Sequence, residues 1–221
     1  MTNSTLDAIL LKRSEGGLNS EEFATIWMDF IEVVLEEDST EPMKVIFYSD
    51  GCTYQNRNAV LANALLTTAM NKNIVIEQKF LEVGHTQMEA DSMHSTIERT
   101  LKNKDVHVPA EYISICRSAR KKPRPYEVKY LNYKFFKKFS EFNFSKPFGL
   151  ADLKEMLRFR YSGSSLPQRK SSSVTPVSFT GLQNLYSDRP KICAKKFEDL
   201  QYLKNTLPKD YHSYYVSLPH D

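Results

Sequence analysis

The chain has 221 residues, 41% hydrophobic and 26% charged, ordinary values that exclude collagen-like, coiled-coil and wholly disordered classes. No apolar run approaches the roughly 18 residues of a membrane helix, and MTNSTLDAIL lacks the basic start and long apolar core of a signal peptide, so an intracellular chain with no membrane partner is expected. The net charge of +3 hides an asymmetry: residues 1–100 hold 16 acids and 7 bases, and residues 101–221 hold 11 acids and 23 bases, which suits a polyanion surface or two mutually attracting halves.

Residues 14–43 contain nine acids and no base. Asn19 and Glu22 stand at N-cap and N3 spacing. Phe23, Ile26, Trp27, Phe30, Ile31, Val34 and Leu35 then recur as one apolar stripe, predicting a helix of about 18 residues with Asp29, Glu32 and Glu36 on its solvated face. Glu41-Pro42 ends it. Lys44–Tyr48 reads as a buried strand running into Ser49-Asp50-Gly51. The polar turn 52–58 leads into a helix through about Met70, its buried side formed by Val60, Leu61, Ala64, Leu65 and Thr68. Residues 74–80 read as a second strand. Thr86 and Glu89 have capping-box spacing and open a helix to about Lys102, cored by Ala90, Met93, Ile97 and Leu101. The alternation of helix and strand predicts a parallel strand pair in an α/β core.

Beyond Asp105 the character changes. Pro109 starts a short helix. Residues 117–138 hold nine bases and one acid, Glu127, interleaved with Tyr126, Tyr130, Tyr133, Phe135 and Phe136. Tyr126–Leu131 alternates as a strand does, and 150–156 suggests a short helix. Residues 162–178, rich in Ser with two prolines, read as a flexible linker. Residues 195–218 suggest two short helices, with Phe197, Leu200, Leu203 and Leu207 on one face.

Four constellations could carry chemistry. Asp50 lies at the carboxyl end of a strand, where parallel α/β sheets bind ligands; the bland alternative is a turn aspartate. Asp91, His94, Ser95 and Glu98 follow along one side of a helix, where Asp91 and Glu98 could join Asp50 around a divalent cation, or form an ordinary charged flank with a His94–Glu98 pair. His85, between Gly84 and Thr86, could meet metal or phosphate. Arg117, Arg120, Lys121, Lys122, Arg124, Lys129, Lys134, Lys137 and Lys138 could neutralise phosphates while the aromatics stack on bases. Lys121-Lys122-Pro-Arg124 also has the composition of a nuclear-import signal. Three widely spaced cysteines, Cys52, Cys116 and Cys193, read as reduced thiols. No glycine-rich phosphate loop, HExxH or GxSxG motif occurs.

YSDGCTYQNRN (48–58) and FLEVGHTQMEADSMHSTIE (80–98), with PRPYEVKYLNYKFF (123–136) and LQYLKNTLPKDYHSYYVSLPH (200–220), resemble transposable-element-derived invertebrate proteins carrying a domain of unknown function. The resemblance implies a ribonuclease H-like core of the transposase and integrase type. It implies Asp50 as second acid of a two-metal centre, Asp91 or Glu98 as the later acid, and Asp91-Ser-Met-His94 as a D-x-x-H element. The centre would hold Mg²⁺ or Mn²⁺ and attack a phosphodiester. Such a core opens with three antiparallel strands, the first bearing the first acid. Only about 18 residues precede the first helix here, and Asp7 sits in no convincing strand.

The expected organisation is therefore a remnant at 1–18, a partial ribonuclease H-like α/β core at 19–105, a basic α+β extension at 106–161, a linker at 162–193 and a helical terminus at 194–221. The expected function is a catalytically inactive relic of a metal-dependent nuclease or polynucleotidyl transferase. The alternatives are a non-catalytic binder of DNA or RNA through 117–138, and a gene fragment without function. A nuclear location and self-association through an exposed sheet edge complete the expectations.

Overall fold

The computed structural model describes residues 8–11, 15–37, 43–81, 89–140, 158–161 and 181–221. In chain order its strands and α-helices are β1 (Ala8–Leu11), α1 (Ser20–Glu37), β2 (Lys44–Ser49), α2 (Ala59–Lys72), β3 (Val75–Phe80), α3 (Glu89–Leu101), α4 (Pro109–Ser118), β4 (Val128–Leu131), β5 (Arg158–Tyr161), α5 (Ala194–Lys204) and α6 (His212–Val216). The fold is mixed α/β. The chain divides into two units: Leu18–Thr86 with Lys134–Leu185, and Met1–Gly17 with Gln87–Tyr133 and Tyr186–Asp221.

In the first of these units β2 and β3 pair in parallel, Lys44 opposite Val75 and Ser49 opposite Phe80, and β5 pairs antiparallel with β3. Glu22 closes the start of α1 by accepting the Asn19 N–H at 3.2 Å. Asn58 caps α2 through the Leu61 N–H at 2.9 Å, and Asn73 ends it in the left-handed conformation at φ 52°. Leu61, Ala64 and Leu65 of α2 share a core with Ala24, Met28 and Ile31 of α1 and Ile76 of β3. Trp27 stacks on Phe47 with centroids 4.2 Å apart.

Two expectations are corrected here. The buried side of α1 matches the predicted stripe only in part: Ile31 is buried and Trp27 and Leu35 pack on the core as expected, but Ala24, Thr25 and Met28 are buried beside them while Phe23, Ile26, Phe30 and Val34 are only partly so. The cause lies at 137–140. Lys137 N–H donates to Thr25 Oγ1 at 3.0 Å, and the Phe139 and Ser140 N–H groups donate to the Glu21 carboxylate at 2.6 and 3.0 Å. A polar face of the helix is thus covered by backbone that needs acceptors. Secondly, β2 is not buried throughout. Val45 and Ser49 are covered, but Ile46 and Tyr48 keep 39% and 52% exposure. Among the described residues β2 has a strand neighbour on one side only.

In the other unit β1 and β4 pair in parallel, Ala8 opposite Val128. A strand therefore starts directly after Asp7, which itself lies outside the described residues. Ile97 of α3, Cys116 of α4, Tyr126 and Val128 form a small core. Pro109 opens α4, and Glu111 accepts the His107 and Val108 N–H groups at 2.7 and 3.3 Å. The terminus is tied by the Phe197–His220 stack (3.6 Å) and by Gln201 donating to the Tyr215 carbonyl at 2.8 Å. The helix suggested at 150–156 and most of the expected linker lie outside the described residues. No helix among those described is long and apolar enough to cross a membrane.

Candidate functional site

Asp50 leaves the end of β2 exposed. Its Oδ1 accepts the Asn56 side-chain amide at 2.8 Å and the Cys52 N–H at 3.2 Å. The Cys52 carbonyl in turn accepts the Gln55, Asn56 and Arg57 N–H groups within 3.0–3.3 Å. Gln78, buried on β3, donates to the Asn56 carbonyl. Asp50 is thus the acceptor around which the loop 50–58 winds, the behaviour of a turn aspartate. Its second oxygen makes no hydrogen bond among the described residues. Arg57 lies over the Phe80 ring, 5.1 Å from its centroid.

Asp91, His94 and Glu98 all stand exposed on α3. No ion pair joins His94 to Glu98 among the described residues. Glu98 borders a shallow hollow with Ser95, Arg99, Leu101 and Lys102. His85 lies outside the described residues. Among those described, no group of three or more His, Cys, Asp or Glu is placed to hold a metal ion.

The basic stretch is divided between the two units. In one, Arg117 donates to the Val128 carbonyl at 3.3 Å. Arg120 lies over the Tyr126 ring, 4.0 Å from its centroid, and donates to the Arg124 carbonyl at 2.8 Å. That clamp holds the loop in which Lys121 and Lys122 project, exposed and without an ion pair among the described residues. Tyr126 is buried, so its ring braces the loop and is not offered to a base. Lys129, Lys134 and Lys138 have interactions of their own. In the other unit Lys137 donates to Asn184 Oδ1 at 2.7 Å, and Phe136 is fully buried. Tyr130 is the exception, 39% exposed on β4.

A cluster that sequence reasoning missed surrounds Tyr130. Glu15, nearly fully buried, accepts the Tyr133 N–H at 3.2 Å and two guanidinium N–H groups of Arg189. Beside it opens a cavity of about 380 Å³ lined mainly by Val108, Ala110, Tyr130, Arg189, Tyr211 and Tyr214. Burial pushes the Tyr214 hydroxyl up to about 12. The Tyr211 hydroxyl donates to Glu111 at 2.5 Å. That bond, with the His107 N–H behind it, holds the Glu111 carboxyl below its usual range. The available signals were the tyrosines of KDYHSYYV and the isolated Arg189, and neither has a periodicity that points to a site. Cys116 is buried, and burial raises its thiol, which keeps it an unreactive core residue.

The fold and its surfaces define a mixed α/β chain with an exposed basic loop and an aromatic cavity. A family model described as "Domain of unknown function (DUF7869)" matches residues 19–160. The match spans more than half of the chain, and the chain belongs to that family. No curated protein and no solved structure matches it.

Proposed function

We propose that this chain binds nucleic acid without catalysis, as a transposase-derived relic, through the loop Arg117–Arg124. One observation carries the reading. Lys121 and Lys122 are exposed and unpaired among the described residues, on a loop clamped by Arg120 against Tyr126. Residues 112–126 contain five bases and no acid. Cations held forward on a braced loop neutralise phosphates at little entropic cost. A nuclear location accords with the same basic run.

The ribonuclease H-like ancestry rests on the resemblance of 48–58 and 80–98, and on a parallel β2–β3 pair with Asp50 at its carboxyl end. The donor set does not fit a two-metal centre among the described residues. Asp50 is tied to its loop by one oxygen, and no three ligands converge. No catalytic step is assigned to Mg²⁺ or Mn²⁺. The test of the binding reading is fluorescence anisotropy of labelled DNA and RNA across a salt series. Affinity that falls with salt and drops in Lys121→Glu/Lys122→Glu supports it; absent or salt-independent binding overturns it.

A further inference from the structure

The geometry points to the Tyr130–Arg189–Tyr214 cavity as a binding site for a single nucleobase. The inference rests on the nucleic-acid reading and adds a base-reading element to it. The cavity, at about 380 Å³, falls in the range of roughly 300–1,000 Å³ typical of small-ligand clefts. Its lining is mainly aromatic and aliphatic: Tyr130, Tyr211 and Tyr214 share it with Val108, Ala110 and Ile113. Flat rings are what such walls accept, because any base has a π-face to stack.

The charge of the cavity selects the same part of a nucleotide. Among the described residues Arg189 is the one cation of the lining, and its charge is compensated by the buried Glu15. Asp210 is the lining's acid. A phosphate finds no uncompensated cation here, while a neutral base does not need one. Arg189 keeps 38% of its side chain exposed, and a guanidinium has five N–H donors, more than Glu15 and the Tyr130 hydroxyl together take. The remaining donors suit a base carbonyl or ring nitrogen. Tyr130 is 39% exposed, lines the cavity and stacks on no other ring among the described residues.

Position supports the pairing with the basic loop. Val108, Pro109 and Ala110 line the cavity at the start of α4, and Lys121 and Lys122 follow its end. A helix of ten residues spans about 15 Å at 1.5 Å per residue, so one strand can lay its phosphates on the loop and turn a base into the cavity.

The experiment uses the full chain and two fluorescein-labelled single strands, a deoxyadenylate dodecamer and an abasic strand of the same length. The base-bearing strand is expected to bind roughly tenfold more tightly, the scale of one stacked base. Ala110→Trp, which fills the cavity while removing no hydrogen bond, is expected to erase that difference and leave abasic binding unchanged. Lys121→Glu/Lys122→Glu is expected to weaken both strands. Equal affinity for the two strands in the unsubstituted chain overturns the base site and leaves the nucleic-acid reading standing. If neither strand binds, the nucleic-acid reading has failed, and titration with AMP followed by NMR decides the cavity. Binding blocked by Ala110→Trp assigns it to free nucleotides, and no binding overturns it.

Discussion

Glu15 and Arg189 stand 174 residues apart in the chain and meet as an ion pair in which the guanidinium donates to a single carboxylate oxygen. The other oxygen of Glu15 accepts the Tyr133 N–H. The carboxylate is nearly fully buried, so it depends on both partners for solvation. Arg189→Ala leaves it with the Tyr133 N–H and the Tyr130 hydroxyl and without a cation. The expected loss is about 2 kcal/mol, below the 3–5 kcal/mol of wholly buried pairs because the guanidinium is partly exposed. Urea unfolding of Arg189→Ala, alone and with Glu15→Gln, measures it. The double variant should recover part of the loss, since a neutral amide no longer needs the cation; a double variant less stable than the single would refute the pair's role.

Glu111 supplies a prediction in pH. Its folded carboxyl lies below its usual range because the Tyr211 hydroxyl and the His107 N–H favour the charged form. The folded state therefore holds that proton more weakly than the unfolded chain. The stabilisation is complete above the ordinary glutamate value of about 4.3 and is lost as pH falls through the lower folded value. Thermal unfolding between pH 2.5 and 7 should show this decline, and Glu111→Gln should flatten it. An unchanged profile in Glu111→Gln would place the acid sensitivity elsewhere.

The basic loop makes a prediction in salt. Removing one cation that neutralises a phosphate should reduce the slope of log K against log salt by about 0.7 on single strands and 0.9 on duplex. Lys121→Ala and Lys122→Ala should each lower the slope by about that amount. Arg120→Ala should act differently, loosening the loop that it clamps to Tyr126. Affinity should then fall more than the slope accounts for. Slopes measured for the three variants separate direct phosphate neutralisation from loop support.

Asp50 gives a prediction on metal. Because no three ligands converge among the described residues, calorimetric titration with Mn²⁺ should show no heat dependent on Asp50 and Asp91. Asp50→Asn keeps an acceptor for Cys52 and Asn56, so it tests the charge without unwinding the loop. Heat that disappears in Asp50→Asn/Asp91→Asn would overturn the non-catalytic reading and make nuclease assays the next step.

Much of the local structure was legible in the residues. Asn19 and Glu22 marked the start of α1, the polar turn 52–58 led into α2, and Pro109 opened α4. The parallel pairing of β2 with β3 followed from the helix between them. The candidate sites were less legible. Asp50 could be read as a ligand or as a turn residue, and the hydrogen bonds to Cys52 and Asn56 place it in the turn. Tyr126 and Tyr130 looked alike in sequence, yet one braces the basic loop and the other lines a cavity.

Helix caps, apolar spacing, the basic run and the charge asymmetry of the two halves are encoded by a few neighbouring residues. These depend on interactions over one or two turns and survive without knowledge of the rest of the chain. Contacts between distant segments settle which face of α1 is covered, that Ala8–Leu11 pairs with Val128–Leu131, and that Glu15 meets Arg189 beside three tyrosines. Four-residue strands carry too little pattern to name a partner more than a hundred residues away. A buried carboxylate looks like any surface acid until the fold removes its water and supplies its cation.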